Sequence, residues 1–87
     1  MKIKINPNHY NIIIDFMNHK NYSLSAKKFN LSHARVRQIH ERMGLILRRH
    51  DNYMKLIFDR WTFHEAFERH PHAIKECFYR LVTPKEI

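Results

Sequence analysis

With 87 residues, the chain is long enough for one compact domain and too short for two. Its composition, 44% hydrophobic and 28% charged with 13% aromatic residues, is that of an ordinary globular protein and excludes the disordered class. Cys77 is the single cysteine and cannot form an internal disulfide. The opening MKIKINPN has no apolar run of the kind found in signal peptides, and no segment is long enough to span a bilayer. We therefore expect one domain, residues 1–87, in the cytoplasm and with no membrane partner.

The positive charge is confined to the first half of the chain. Residues 1–50 carry ten Lys and Arg side chains but only two acids, Asp15 and Glu41. Residues 51–87 carry six basic and six acidic side chains, so the whole net charge of +8 belongs to the first half. Charge alone leaves nucleic acid, an anionic membrane and an acidic protein open as partners. The distribution of charge along the chain predicts a basic surface within residues 21–50 and a charge-balanced helical core or dimerisation half in residues 51–87.

The first helix is predicted from its cap. Asn6 is a good N-cap, and proline at the first helical position, here Pro7, loses no hydrogen bond. The apolar spacing that follows predicts a helix over residues 7–19. The segment before it alternates apolar and basic residues like a strand, but one strand without a partner is not a sheet, so we expect an extended arm.

Two helices with a short turn between them are predicted next. The second helix covers residues 23–29, and Asn30 follows as a residue that tolerates the left-handed conformation. Ser32 is a new N-cap, and a third helix begins at His33. Gly44 is expected to end or bend this third helix.

The pattern after Asp51 remains helical as far as residue 82. Thr62 is a good cap, His70-Pro71 interrupts the pattern, and Thr83-Pro84 stops it. The chain has one glycine and no hairpin dipeptides, which argues against a sheet-rich fold. The sequence therefore predicts an all-α fold, a small helical domain of four to five helices.

The segment around Asn30 has the parts of a helix-turn-helix. Such a motif needs a small residue where the helices approach, a turn residue with an unusual backbone, and buried apolar residues that hold the angle. Ala26 and Asn30 supply the first two. The apolar set is Phe29, Leu31, Val36 and Ile39. We expect a helix-turn-helix over about residues 21–42, with residues 33–42 as the helix presented to DNA.

The stretch FNLSHARVRQIHERM resembles the second half of the helix-turn-helix in bacterial sigma factor region 4. That family has an F/L-x-V/I-S/T turn followed by R-E-R-V/I-R-Q-I-E, and the most distinctive shared piece is Arg-Val-Arg-Gln-Ile at residues 35–39. The likeness covers about a quarter of the chain. Upstream, Tyr22-Ser23-Leu24-Ser25-Ala26 is similar to the first helix of LysR-type regulators.

The resemblance implies base contacts from His33, Ala34, Arg37 and Gln38. Arginine can bind guanine bidentately and glutamine can do so with adenine, whereas Ala34, which stands where the family has glutamate, could touch a thymine methyl. The expected phosphate contacts are Lys27, Lys28, Ser32, Arg35, Arg42, Arg48 and Arg49. Protonation of His33, His40 and His50 would raise the affinity for DNA as pH falls.

The partners expected from this interpretation are double-stranded DNA and a second copy of the chain. The protein would then be a transcriptional regulator located with the nucleoid, and a dimer formed through residues 51–87 would present two helices to successive major grooves. The competing hypothesis is a small protein-interaction module, of the kind that phages encode, which binds RNA polymerase or another host protein through the basic helices without reading bases.

Other chemistry has little support in the sequence. His64, His70, His72 and Cys77 lie close in sequence, but their spacing is not that of a usual zinc site. Cys77 is expected to be buried and inert on a core-lining helix. There is no glycine-rich phosphate loop and no paired-carboxylate motif. We expect no catalytic residue, no metal and no cofactor.

Overall fold

The structure is a computed structural model that describes residues 2–86. In chain order its elements are β1 (Ile3–Ile5), α1 (Pro7–His19), α2 (Tyr22–Phe29), α3 (His33–His50), α4 (Asn52–Arg60), α5 (Phe63–Arg69), α6 (Pro71–Leu81) and β2 (Val82–Pro84). The fold is nearly all-α, as predicted. The predicted count of four to five helices is wrong, because the helical stretch after Asp51 is divided into three and the part described therefore contains six.

The helices begin where polar side chains satisfy the free N–H groups of the first turn. The Asn6 side chain accepts a hydrogen bond from the N–H of Asn8 at 2.8 Å, and Pro7 occupies the first helical position. Thr62 and Glu65 form a capping box at the start of α5. The predicted bounds of the first helix, residues 7–19, are confirmed.

The N-terminal segment is a strand and not a free arm. β1 pairs in parallel with β2, with Ile3 opposite Val82 and Ile5 opposite Pro84, and the N–H of Lys85 donates to the carbonyl of Ile5 at 2.8 Å. The expectation of an unpartnered strand was wrong because its partner lies at the other end of the sequence, where only the tertiary fold brings it alongside. The pairing closes the two ends of the described chain over the core.

α3 continues through Gly44 to His50, so the expectation that Gly44 could end this helix was wrong. A Cβ placed on Gly44 would lie 3.3 Å from Cδ1 of Phe58 on α4. The missing side chain therefore allows α4 to pack closely against α3. The glycine serves a helix–helix contact and not a turn.

Both halves of the chain contribute to one hydrophobic core. The largest fully buried side chains include Phe16 from the basic half and Phe63, Phe67 and Phe78 from the charge-balanced half. The aromatic residues within residues 51–87 that are expected to build a core or a dimer face divide evenly: Phe63, Phe67 and Phe78 are buried, whereas Phe58 and Trp61 are partly exposed and Tyr79 is 44% exposed. Across residues 2–86, none of the helices has both the length and the apolar composition needed to cross a bilayer.

Candidate nucleic-acid interface

A tight three-residue connection joins α2 to α3. Asn30 adopts the left-handed conformation, with φ 56° and ψ 48°, and its neighbour Leu31 donates its N–H to the carbonyl of Ala26 at 2.9 Å. The hydroxyl of Ser32 accepts from the N–H of Arg35 at 3.1 Å, which caps α3. The predicted roles of Asn30 in the turn and of Ser32 as N-cap are confirmed, and Ala26 is buried.

The buried carboxylate of Asp15 fastens α2 to α1. The Ser25 hydroxyl donates to one of its oxygens at 2.8 Å, and the Lys28 ammonium donates to the other at 2.9 Å. The His19 imidazole lies 3.9 Å away. Three groups thus converge on one acid, and two of them belong to the helix that precedes the turn.

The electrostatics of Asp15 match this arrangement. Burial by itself raises the pKa of Asp15, but the hydrogen bonds from Lys28 and Ser25 and the charges of Lys28 and His19 outweigh it and hold the pKa below its usual value. Sequence reasoning counted Asp15 only as an acid. The available signal was its place on α1 directly before the buried Phe16, where an unpartnered carboxylate would be costly.

The four predicted base-contacting residues, His33, Ala34, Arg37 and Gln38, are all exposed in the first turns of α3. The opposite side of the helix is buried through Val36, Ile39, His40, Met43, Gly44 and Leu47. Successive helical residues turn by about 100°, so Ala34, Gln38 and Leu45 share the outermost line of α3. Leu45 is 56% exposed. Arg35 donates to the amide oxygen of Gln38 at 3.4 Å, a long hydrogen bond that leaves both side chains at the surface.

The predicted phosphate contacts fall into two groups. Lys28 pairs with Asp15 at 2.9 Å, and Arg48 pairs with Asp59 of α4 at 2.6 Å. Within residues 2–86, no ion pair engages the other predicted cations, which are Lys27, Arg35, Arg42 and Arg49, nor Arg37, the cation predicted to contact a base. The uncommitted charge therefore lies at the end of α2 and along α3.

Glu41, the second acid of the basic half, also makes an internal contact. The helical pattern places it on the outer side of α3, but it is only partly exposed, and its carboxylate accepts from the N–H of Phe63 at 3.3 Å. The contact joins α3 to the first turn of α5. Since Asp15 is buried as well, both acids of the first half are engaged within the fold, and the exposed charge of α2 and α3 is almost wholly positive.

His40 belongs to the core and not to the basic surface. It is fully buried, and its ring lies 4.6 Å from that of Phe16, 4.8 Å from Tyr22 and 5.3 Å from Phe63, measured between centroids. Neither ring nitrogen has a hydrogen-bond partner. Burial, with a smaller effect of His64, lowers the pKa of His40 to about 4. His40 is therefore neutral at pH 7, and the expectation that its protonation adds charge beside DNA was wrong.

Two neighbouring clefts separate α3 from the N-terminal end of α1. The larger, about 290 Å³, is lined by Lys4, His9, Arg42 and Lys85 among apolar side chains. The second, about 260 Å³, also includes His9 and adds Arg35. Sequence reasoning missed Lys4 and Lys85, because only the pairing of β1 with β2 brings them together.

In the charge-balanced half, the single cysteine is not poised for chemistry. Cys77 is buried and free, and burial, together with the negative charge of Asp51, raises the pKa of its thiol to about 11. Such a thiol is a poor nucleophile at neutral pH. In the part of the chain that the structure covers, no three His, Cys, Asp or Glu side chains are grouped so that they could hold a metal ion.

Comparisons with protein-family models, with curated proteins and with solved structures found no match to this chain. The likeness to sigma factor region 4 therefore rests on the stretch FNLSHARVRQIHERM alone.

Proposed function

We propose that this protein is a sequence-specific double-stranded DNA-binding protein, a transcriptional regulator that inserts α3 into the major groove as the second helix of a helix-turn-helix. One observation carries the proposal. Arg37 and Gln38 are exposed on the first turns of a helix whose opposite side is buried, while both acids of the basic half are engaged elsewhere.

The chemistry of this face suits base edges. An arginine can donate two hydrogen bonds to guanine, and a glutamine can both donate to and accept from adenine. Ala34 is small enough to let the helix approach a thymine methyl, and His33 stands beside the Ser32 cap, where a phosphate would meet free N–H groups of the helix. Residues 33–42 are the segment we assign to the groove.

Phosphate contacts would hold the helix in register. Lys27, Arg35, Arg42 and Arg49 are exposed cations around this face, and Ser32 lies at its N-terminal end. Such contacts are independent of sequence and make affinity fall steeply with salt. Lys28 and Arg48 contribute less, because each already has a carboxylate partner.

The proposal is tested by selecting binding sites from a random duplex library and measuring affinity by fluorescence anisotropy across a salt series. Arg37→Ala is expected to lower affinity for the selected site by about 1–3 kcal/mol and to relax preference at one base pair. Lys55→Ala, which removes an exposed cation of α4, is the matched control and should bind like the wild type. Failure of the wild type to bind any duplex above its affinity for a polyanion such as heparin would exclude this function.

A second function is favoured by a different observation. Leu45, more than half exposed on the same outer line as Ala34 and Gln38, is an apolar side chain that protein partners accept more readily than phosphates do. The same basic helices could dock on an acidic surface of RNA polymerase or another host protein. Leu45→Ala is expected to weaken binding to purified RNA polymerase under that function, and to leave binding to a selected DNA site unchanged under the first.

Pairing of two copies through residues 51–87 stays a prediction. Tyr53 and Leu56 of α4 are exposed and apolar enough to contribute to such an interface. A sedimentation equilibrium run without DNA that finds only monomer at high micromolar concentration would count against it.

A further inference from the structure

A basic cleft beside α3 brings together cations from opposite ends of the chain. Lys4 lies on β1 and Lys85 directly follows β2, and the parallel pairing of these strands joins the two segments. Arg42 of α3 forms the other wall of the same cleft, and His9 of α1 also lines it. The adjoining cleft adds Arg35, two helical turns before Arg42 and about 10 Å away along the axis.

The charged side chains that line the two clefts are all basic. No acidic side chain lines either cleft, and among residues 2–86 no ion pair engages Lys4, Arg35, Arg42 or Lys85. The pKa of His9 is lowered below its usual value by partial burial and by the charges of Arg35 and Arg42. Lys4, Arg42 and Lys85 thus line the larger cleft and Arg35 lines the adjoining one, with no carboxylate in either lining, which is the electrostatic setting of an anion site.

The shape of the region fits a phosphate on a polymer better than a free metabolite. The larger cleft is near the lower limit for a small-molecule pocket. Its lining also includes the buried side chains of Ile13 and Ile39, so the cleft has an apolar floor beneath its charged rim. It also continues the surface of α3, because Arg35 and Arg42 belong to the helix whose first turns carry Arg37 and Gln38.

We infer that the two adjoining clefts form a phosphate clamp that holds one DNA strand beside the groove occupied by α3, with Arg35 and Arg42 of α3 on one side and Lys4 and Lys85 on the other. The inference rests on the proposed DNA binding and extends it to a surface outside the two predicted helices. The paired strands then have a function besides closing the fold. They position Lys4 and Lys85 beside the exposed side of α3.

The test compares Lys4→Ala/Lys85→Ala with the wild type on a selected duplex and on a random duplex, by fluorescence anisotropy between 50 and 200 mM NaCl. Each lost phosphate contact reduces the salt slope by about 0.9, so the slope should become shallower by nearly two. The ratio of the wild-type affinity to the affinity of the variant should accordingly fall about tenfold between 50 and 200 mM NaCl. The ratio of affinities for the two duplexes should not change, because phosphate contacts carry no sequence information.

Two controls separate a lost contact from lost folding or lost net charge. Lys4→Arg/Lys85→Arg keeps both cations and should keep the wild-type slope. Lys55→Ala/Arg60→Ala removes two exposed cations of α4 and should also leave the slope unchanged. If the wild type binds duplex DNA and Lys4→Ala/Lys85→Ala shows the wild-type slope, the clamp is overturned while the proposed function stands. If the wild type binds no duplex, both are overturned.

Discussion

Lys28 donates to the buried carboxylate of Asp15 at 2.9 Å, so a cation that the sequence places among the phosphate contacts is held by the preceding helix. Its neighbour Lys27 is exposed and has no such partner in the described part of the chain. Two adjacent lysines of α2 therefore differ in what they can do. Lys27 can contact a partner molecule, whereas Lys28 stabilises the packing of α2 on α1.

This difference predicts divergent effects of two matched substitutions. Lys27→Ala should make the salt slope of DNA binding shallower by about 0.9 and leave the free energy of unfolding unchanged. Lys28→Ala should change the slope much less and cost at most about 1 kcal/mol of stability, because the exposed ammonium of this pair is screened by water. Anisotropy titrations and urea unfolding on the same two proteins check both. Equal slopes for the two variants would contradict the assignment of Lys28 to Asp15.

Removing the acid itself should have a larger effect. Asp15→Ala leaves the buried Ser25 hydroxyl without its acceptor and loosens α2, so we expect a loss of about 1–3 kcal/mol in the free energy of unfolding. Urea titration followed by circular dichroism measures it. Glu68→Ala, which removes an exposed acid of α5, is the control and should lie within about 0.5 kcal/mol of the wild type. An Asp15→Ala protein as stable as that control would show that the carboxylate does not fasten the helices.

Because His40 is buried and neutral, the protein should lose stability in acid at pH values well above those at which carboxylates titrate. Its pKa is about 4 in the folded protein against 6.5 for an ordinary histidine, so below pH 6.5 the unfolded chain binds a proton that the folded chain does not. Stability should therefore fall by about 3 kcal/mol as pH drops from 6.5 to 4. Asp15, whose folded pKa is below its usual value, adds a further loss only as pH falls below about 4.

The matched variant for this prediction is His40→Phe. Phenylalanine keeps an aromatic ring beside Phe16 and Tyr22 and removes two buried nitrogens that lack partners, so we expect a gain in stability at pH 7 and a much flatter profile above pH 4. His33→Gln, at an exposed position of the same helix, should leave the profile as in the wild type. Urea unfolding at pH 7, 5.5 and 4.5 measures these profiles. If the free energy of unfolding of His40→Phe fell with pH as steeply as that of the wild type, burial of His40 would not be the cause of the acid destabilisation.

Because Asn30 adopts the left-handed conformation, replacing it by alanine should destabilise the protein more than replacing it by glycine. Asn30→Ala should cost about 1 kcal/mol, because a Cβ without a helpful polar group is disfavoured at φ 56°, whereas Asn30→Gly should be tolerated. Thermal unfolding of the two variants measures the difference. If Asn30→Ala were as stable as Asn30→Gly, the left-handed conformation at residue 30 would not limit which residue the turn accepts.

Much of the local structure around the site was predictable because its causes are local. The caps at Asn6 and Ser32 follow from side chains that accept from backbone N–H groups within three residues, and the turn at Asn30 follows from the left-handed conformation that asparagine tolerates. The exposure of Arg37 and Gln38 follows from the helical period, which places Val36 and Ile39 inward. The period does not distinguish His40 as a core residue from His40 as a surface cation, because the aromatic rings that surround it come from α1, α2 and α5.

The sequence by itself thus determined the helical class, the turn between α2 and α3, and the side of α3 that faces solvent, since each depends on spacing or on contacts within a turn of helix. Only the tertiary structure decided which cations are free. It pairs Lys28 with Asp15, places His40 among aromatic rings, and brings Lys4 and Lys85 beside Arg42 through a strand pairing that joins the two ends of the chain. These relationships depend on how whole helices pack, and no local pattern of residues encodes that packing.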